Sequence, residues 1–245
     1  MTLRYTSNSF HTFLLWFCIL ALTSSCEIKY SSKIINSDEE KKSIAEASQI
    51  ICECFSKQKG DIDTRLTPCI NKVSHSQTAT LPEGHSPQDS ARIVNSMNSK
   101  IADDMSNTMQ KMIVSCDAFG SEVEMMYDKW YPVDSSAAQL DSIKILENKF
   151  QTLSTSDTSR KAVLNKLIAK NIEARRLGEG LRRCQQMKKL FKDEGGAYYA
   201  SAFVYNLQKK YPLAINELEQ EVSLEKNNGL KLFIALMRRK AQRNL

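Results

Sequence analysis

Apolar side chains return every three or four positions, without a gap, from Val94 through Met97, Ile101, Met105, Met109, Met112 and Cys116 to Phe119. A strand would bring them back at every second residue, so this period marks one face of an α-helix about eight turns long. Ser86-Pro87-Gln88-Asp89 gives that helix a cap, a first-turn proline and an acid three residues on. Gly120 is its expected stop. Methionine supplies half of the stripe; its flexible side chain suits a binding groove or a core, and the unbroken spacing favours a core. The whole chain has only 8 glycines and 5 prolines, most of them between periodic segments. That excludes an architecture of many short strands and tight turns. The fold expected is all-α, built of antiparallel helical hairpins or a bundle.

Shorter helices follow from the same period. Ser37-Asp38-Glu39-Glu40 offers an N-cap and an acidic first turn to a helix carrying Ile44, Ala47, Ile51 and Phe55. It should run to about Gln58, with Gly60 as its breaker. A second short helix carries Leu66, Cys69, Ile70 and Val73, with Pro68 expected in its first turn. Residues 75–85 read as a loop. Trp130-Tyr131-Pro132 marks a connection, so a first subdomain is expected over residues 37–132 and a second over 133–245. In the second, Asp134 is the expected cap of a helix with Ile143, Leu146, Phe150 and Leu153 inward, and Val163, Leu164, Leu167, Ile168 and Ile172 begin the next.

The N-terminus carries a different signal. Residues 13–22 are ten consecutive apolar residues after a polar lead-in with Arg4, bounded by Thr23-Ser24-Ser25-Cys26. The run is about half the length that spans a bilayer, and small residues then precede a cysteine. Together they resemble the signal peptide of a bacterial lipoprotein, with Thr23 where that family usually has an aliphatic residue and Leu22 one place earlier. The resemblance implies removal of residues 1–25, acyl chains on the thiol and new amino group of Cys26, and a tether over residues 26–36. It further implies a location outside the cytoplasm, held by lipid on the cell membrane or outer membrane. An ordinary secretory signal and an uncleaved anchor are the other readings of the same run.

Charge is uneven. Residues 27–156 hold 14 Lys/Arg against 19 Asp/Glu, whereas residues 157–245 hold 19 against 9. In an exported protein the basic part meets anionic envelope material or an acidic protein rather than nucleic acid. Within it, residues 197–228 resemble one tetratricopeptide repeat, two antiparallel helices in 34 residues. Tyr198, Ala202, Tyr205, Tyr211, Ala214 and Leu218 match its large and small positions; Ser201, Glu221 and Lys226 depart from it. A poorer copy 34 residues earlier has Leu164, Leu167, Gly180 and Cys184, and residues 230–243 would be the closing helix. The inner face of such an array would present Arg182, Arg183, Lys188, Arg238 and Arg239 to a partner.

Beyond the leader and Cys26, five cysteines remain: Cys52, Cys54, Cys69, Cys116 and Cys184. In an oxidising compartment such residues pair, and five leaves one over. Folding the first two helices together brings Cys52 or Cys54 to Cys69, leaving the other for Cys116 and Cys184 free. The competing reading is a redox or metal site on Cys52, Cys54 and Cys69 with His75 or His85. Zinc sites, however, favour two to four residues between paired cysteines, and here there is one. No haem-attachment, nucleophile-elbow, phosphate-loop or zinc-protease motif occurs. Asp103-Asp104 is a carboxylate pair whose members splay apart on a helix. The function expected is therefore non-catalytic binding or scaffolding by a lipid-anchored helical body, without cofactor or metal.

Overall fold

The computed structural model describes residues 37–74, 87–154, 157–192, 195–225 and 229–244. The leader, Cys26, the tether, His75 and His85 lie outside the described residues. All regular structure among the described residues is helical: α1 (Ser37–Lys57), α2 (Ile62–Ser74), α3 (Pro87–Ser115), α4 (Asp117–Asp128), α5 (Ala137–Thr152), α6 (Ser159–Glu173), α7 (Leu177–Leu190), α8 (Gly196–Leu207), α9 (Tyr211–Glu225) and α10 (Leu230–Arg243). The fold is all-α. Its contacts divide it into two compact units, the described residues up to Phe119 and those from Gly120 onward.

In the first unit α1 packs against both α2 and α3. Ile51 and Phe55 of α1, Leu66 of α2 and Met109, Met112 and Ile113 of α3 are buried. Phe55 meets Phe119 edge to face, with ring centroids 5.4 Å apart. Gly60, at φ 121°, supplies the turn between α1 and α2 that a side chain would strain. The Asp61 carboxylate then accepts from Thr64 N at 2.8 Å and caps α2. Arg65 reaches back from α2: its guanidinium lies 3.8 Å from the Phe55 ring centroid, and Nη2 donates to the Phe55 carbonyl at 3.2 Å. An end carbonyl of α1 is satisfied by a cation in this way.

Three local expectations change. The cap of α5 is Ser136, whose hydroxyl accepts from Gln139 N at 3.2 Å, and not Asp134. Pro68 is not in the first turn of α2, which begins six residues earlier at Ile62; it sits mid-helix on the exposed side, where its ring removes one backbone donor. The long helix does not run to Gly120. It ends at Ser115, Cys116 stands outside it, and Gly120 lies within α4. Met112, Cys116 and Phe119 are buried all the same. The apolar period therefore continues across a break in the backbone, and the sequence pattern does not register it.

In the second unit each helix from α5 to α10 packs against the next. Gly195, just before α8, lies against the Glu225 side chain at the end of α9, so those two helices are antiparallel. Ala202 and Ala214 are fully buried in α8 and α9. Gly180 lets α7 approach α6 closely, since a Cβ there would come within 3.3 Å of Ile172. α6 and α8 end with Arg175 and Lys209 at φ 56° and 58°, followed by Arg176 N to Asn171 O and Lys210 N to Tyr205 O bonds. These are left-handed caps of the kind usually given to glycine. The border expected at Pro132 falls earlier because residues before it belong to this core. Tyr127 is buried, with its ring centroid 5.3 Å from Phe203 and 5.1 Å from Phe233. Tyr131 lies 4.8 Å from Phe203, and Trp130 5.8 Å from Tyr199.

Candidate functional sites

Residues two apart on a helix diverge by about 200°, so the two cysteines of α1 face different neighbours. Cys54 is bonded to Cys69 and ties α1 to α2; Cys52 is bonded to Cys116 and ties α1 to the joint after α3. Their Cα atoms are 5.6 and 5.7 Å apart, an ordinary disulfide span. Of the pairings the sequence leaves open, this is the one adopted. Among the described residues Cys184 is the remaining thiol, buried in α7. Burial, only partly offset by Ser201 and Lys188, pushes its pKa up to about 11, so it is protonated at neutral pH. Among the described residues no group of three or more His, Cys, Asp or Glu side chains converges as a metal site.

The five cations expected to form a binding face are placed quite differently from one another. Arg183, on α7, is buried and donates to Glu147 Oε1 of α5 at 3.0 Å and to Gln186. Arg239, on α10, has a side chain only 3% exposed, with Nε 3.2 Å from Glu124 Oε1. Lys188 pairs with Glu217 of α9, and its ammonium stands 4.2 Å from the Tyr198 ring centroid. These three join helices to one another, so their charges are met within the fold. Arg182 and Arg238 are exposed and pair on the surface with Glu179 at 2.7 Å and Glu219 at 3.4 Å. Exposed pairs contribute about 0–1 kcal/mol, whereas breaking a buried pair strands a charge.

One polar cleft lies in the second unit, with a volume of about 320 Å³, lined by Glu124, Asp128, Tyr211, Lys240, Arg243 and Asn244. Lys240 is buried, with Nζ 2.5 Å from Asp128 Oδ1 and 3.0 Å from Asn206 Oδ1. Arg243 is half exposed and 3.5 Å from Glu124 Oε2. Asn244 Nδ2 donates to the Tyr211 hydroxyl at 3.4 Å. Burial, then Asp128 and Glu124, raise the Tyr211 pKa and keep it a neutral phenol. Burial likewise raises Tyr127, Tyr131 and Tyr199. The cleft thus offers fixed dipoles and compensated charges. Its residues come from α4, α9, α10 and the C-cap of α10, and no local sequence signal joins them.

No helix of the described residues is long and apolar enough to cross a membrane. Comparison of the chain with protein-family models, with curated proteins and with solved structures gives no match.

Proposed function

We propose that the chain is exported, anchored by lipid at Cys26 in a bacterial cell envelope, and acts there as a non-catalytic helical binding module. The observation that carries this reading is the pairing of four cysteines in two disulfides. Such bonds persist outside the cytoplasm and are reduced within it. The apolar run of residues 13–22 and the cysteine at position 26 fit the same compartment. Two acyl chains suffice for lasting attachment.

Binding is assigned to the second unit. Its α8–α9 hairpin, with Ala202 and Ala214 buried, supports the tetratricopeptide-like reading. Lys166, Lys189, Lys192, Lys209 and Lys210 are exposed there and replace Arg183, Lys188 and Arg239 as the cations that meet an acidic protein or anionic envelope material. Metabolic labelling with a fatty-acid analogue tests the anchor: wild type takes the label and Cys26→Ser does not. Equal labelling of both removes the assignment. Binding to acidic partners should weaken steeply with salt, since exposed charges are screened over about 8–10 Å at physiological ionic strength.

A further inference from the structure

The four bonded cysteines are not equally open to a reagent. Cys54, Cys69 and Cys116 are 7%, 0% and 1% exposed, whereas Cys52 is half-buried, at the edge between buried Ser48, Ile51 and Phe55 and exposed Gln49, Glu53 and Ser56 of α1. Thiol–disulfide exchange requires a thiolate to reach one sulfur of the bond, so access selects both the bond and the sulfur that is attacked. We propose that Cys52 is a thiol–disulfide exchange site: an external thiol or dithiol attacks Cys52 Sγ and forms a mixed disulfide there, while Cys54–Cys69 stays closed.

The step balances without any further reagent. A bond forms between the incoming sulfur and Cys52 Sγ as the Cys52–Cys116 bond breaks. The electron pair leaves on Cys116 Sγ, which takes a proton from water. A second thiol, or the second sulfur of a dithiol, then displaces Cys52 Sγ; two cysteine thiols and one new external disulfide result. Release at Cys116 is local, because that residue stands between α3 and α4 rather than inside either helix. Cys69, by contrast, lies within α2. Cys184 is fully buried in α7 and so is itself closed to the reagent. The inference needs only an accessible thiol and is independent of the lipid anchor.

The test uses the full-length oxidised protein, exposed to limiting reduced glutathione or dithiothreitol, quenched with acid, alkylated and mapped as peptides. Glutathione should be found on Cys52, with the alkyl label on Cys116 and the Cys54–Cys69 cross-link retained. Dithiothreitol should remove the Cys52–Cys116 cross-link before the other, and survival of Cys54–Cys69 reports that the unit is still folded. An adduct on Cys116, Cys54 or Cys69 overturns the proposal. So does simultaneous loss of both cross-links, or no reaction under conditions that reduce an exposed control disulfide. A Cys116→Ser chain provides a second reading: its Cys52 should take up glutathione from oxidised glutathione, and inertness there counts against the site.

Discussion

The helices before Phe119 and those after Gly120 solve the same problem by different means. In the first unit α2 buries, among its described side chains, only Leu66 and Cys69, too little for a helix of 13 residues to hold its place or even its shape in water. Covalent bonds make up the difference. In the chain-entropy model a loop of 15 residues is worth about 3 kcal/mol and one of 64 roughly 4. The second unit has no disulfide among its described residues. It relies on a cluster of Tyr127, Tyr199, Phe203 and Phe233, and on carboxylates that meet Arg183, Lys188, Arg239 and Lys240 across helices. A small core takes staples, while a larger one accommodates charge.

The sharpest way to break this comparison is full reduction. Amides of α2 should then exchange freely with solvent while those of α8 to α10 stay protected, in hydrogen exchange followed by mass spectrometry. Equal loss of protection in both units would show that the disulfides do not act locally. Next in size is a contrast between two adjacent arginines. Glu147→Ala leaves Arg183 buried without its carboxylate and should cost roughly 3 kcal/mol. Glu179→Ala removes a surface carboxylate whose hydrogen bonds go to the exposed Arg182, with Arg183 and Arg176 felt only through space, and should cost at most about 1 kcal/mol. Thermal or urea melting compares them, and equal costs would remove the distinction between inner and outer cations. Ala202→Leu overpacks α8 where it is fully buried, at a typical cost of about 1–3 kcal/mol. An unchanged melt would mean that α8 has room beside its neighbours and that the tetratricopeptide likeness is accidental.

Acid gives the smallest effect, and its sign differs from one carboxylate to another. Asp104 is raised by burial and then by Glu40, against the pull of Lys100. The fold favours its neutral form, so its contribution is full below the ordinary carboxyl pKa and is lost as pH rises through the raised value. Asp134 and Asp157 are held low by Ser136 and Ser159. Their contribution is full above the ordinary range and is lost as pH falls through the lowered value. Acidification should therefore protect α3 around Asp104 and fray the starts of α5 and α6. Asp61, lowered by Thr64 at the start of α2, behaves like the second group. Exchange rates corrected for intrinsic pH dependence check this, and a common direction at Asp104 and Asp157 would contradict it.

Much of the helical plan was legible because each helix carries its own period and its own stops. The cysteine partners were legible to within one choice, since Gly60 folds α2 back onto α1 and leaves few ways to pair. The joint at Cys116 was not, because Met112, Cys116 and Phe119 keep the apolar rhythm on both sides of it. Nor was the burial of Arg183 and Arg239, whose partners Glu147 and Glu124 are 36 and 115 residues away. One clue was present in α10. Phe233, Leu236 and Lys240 share a helical face, so a cation falls on an apolar register and must find an acid there.

The reach of those α10 contacts bears on the order in which the chain can assemble. Arg239 and Lys240 meet Glu124 and Asp128 at separations of 115 and 112 residues, and Tyr127 stacks near Phe233 over a similar distance in sequence. Neighbouring helices such as α8 and α9 can associate early, because their contacts are local. The core around Tyr127 cannot close until α10 has been synthesised and brought back to α4. Until then Tyr127, Phe203 and the carboxylates of α4 remain open to water, and the nascent second unit stays a loose string of hairpins. α10 is thus the latch of that core.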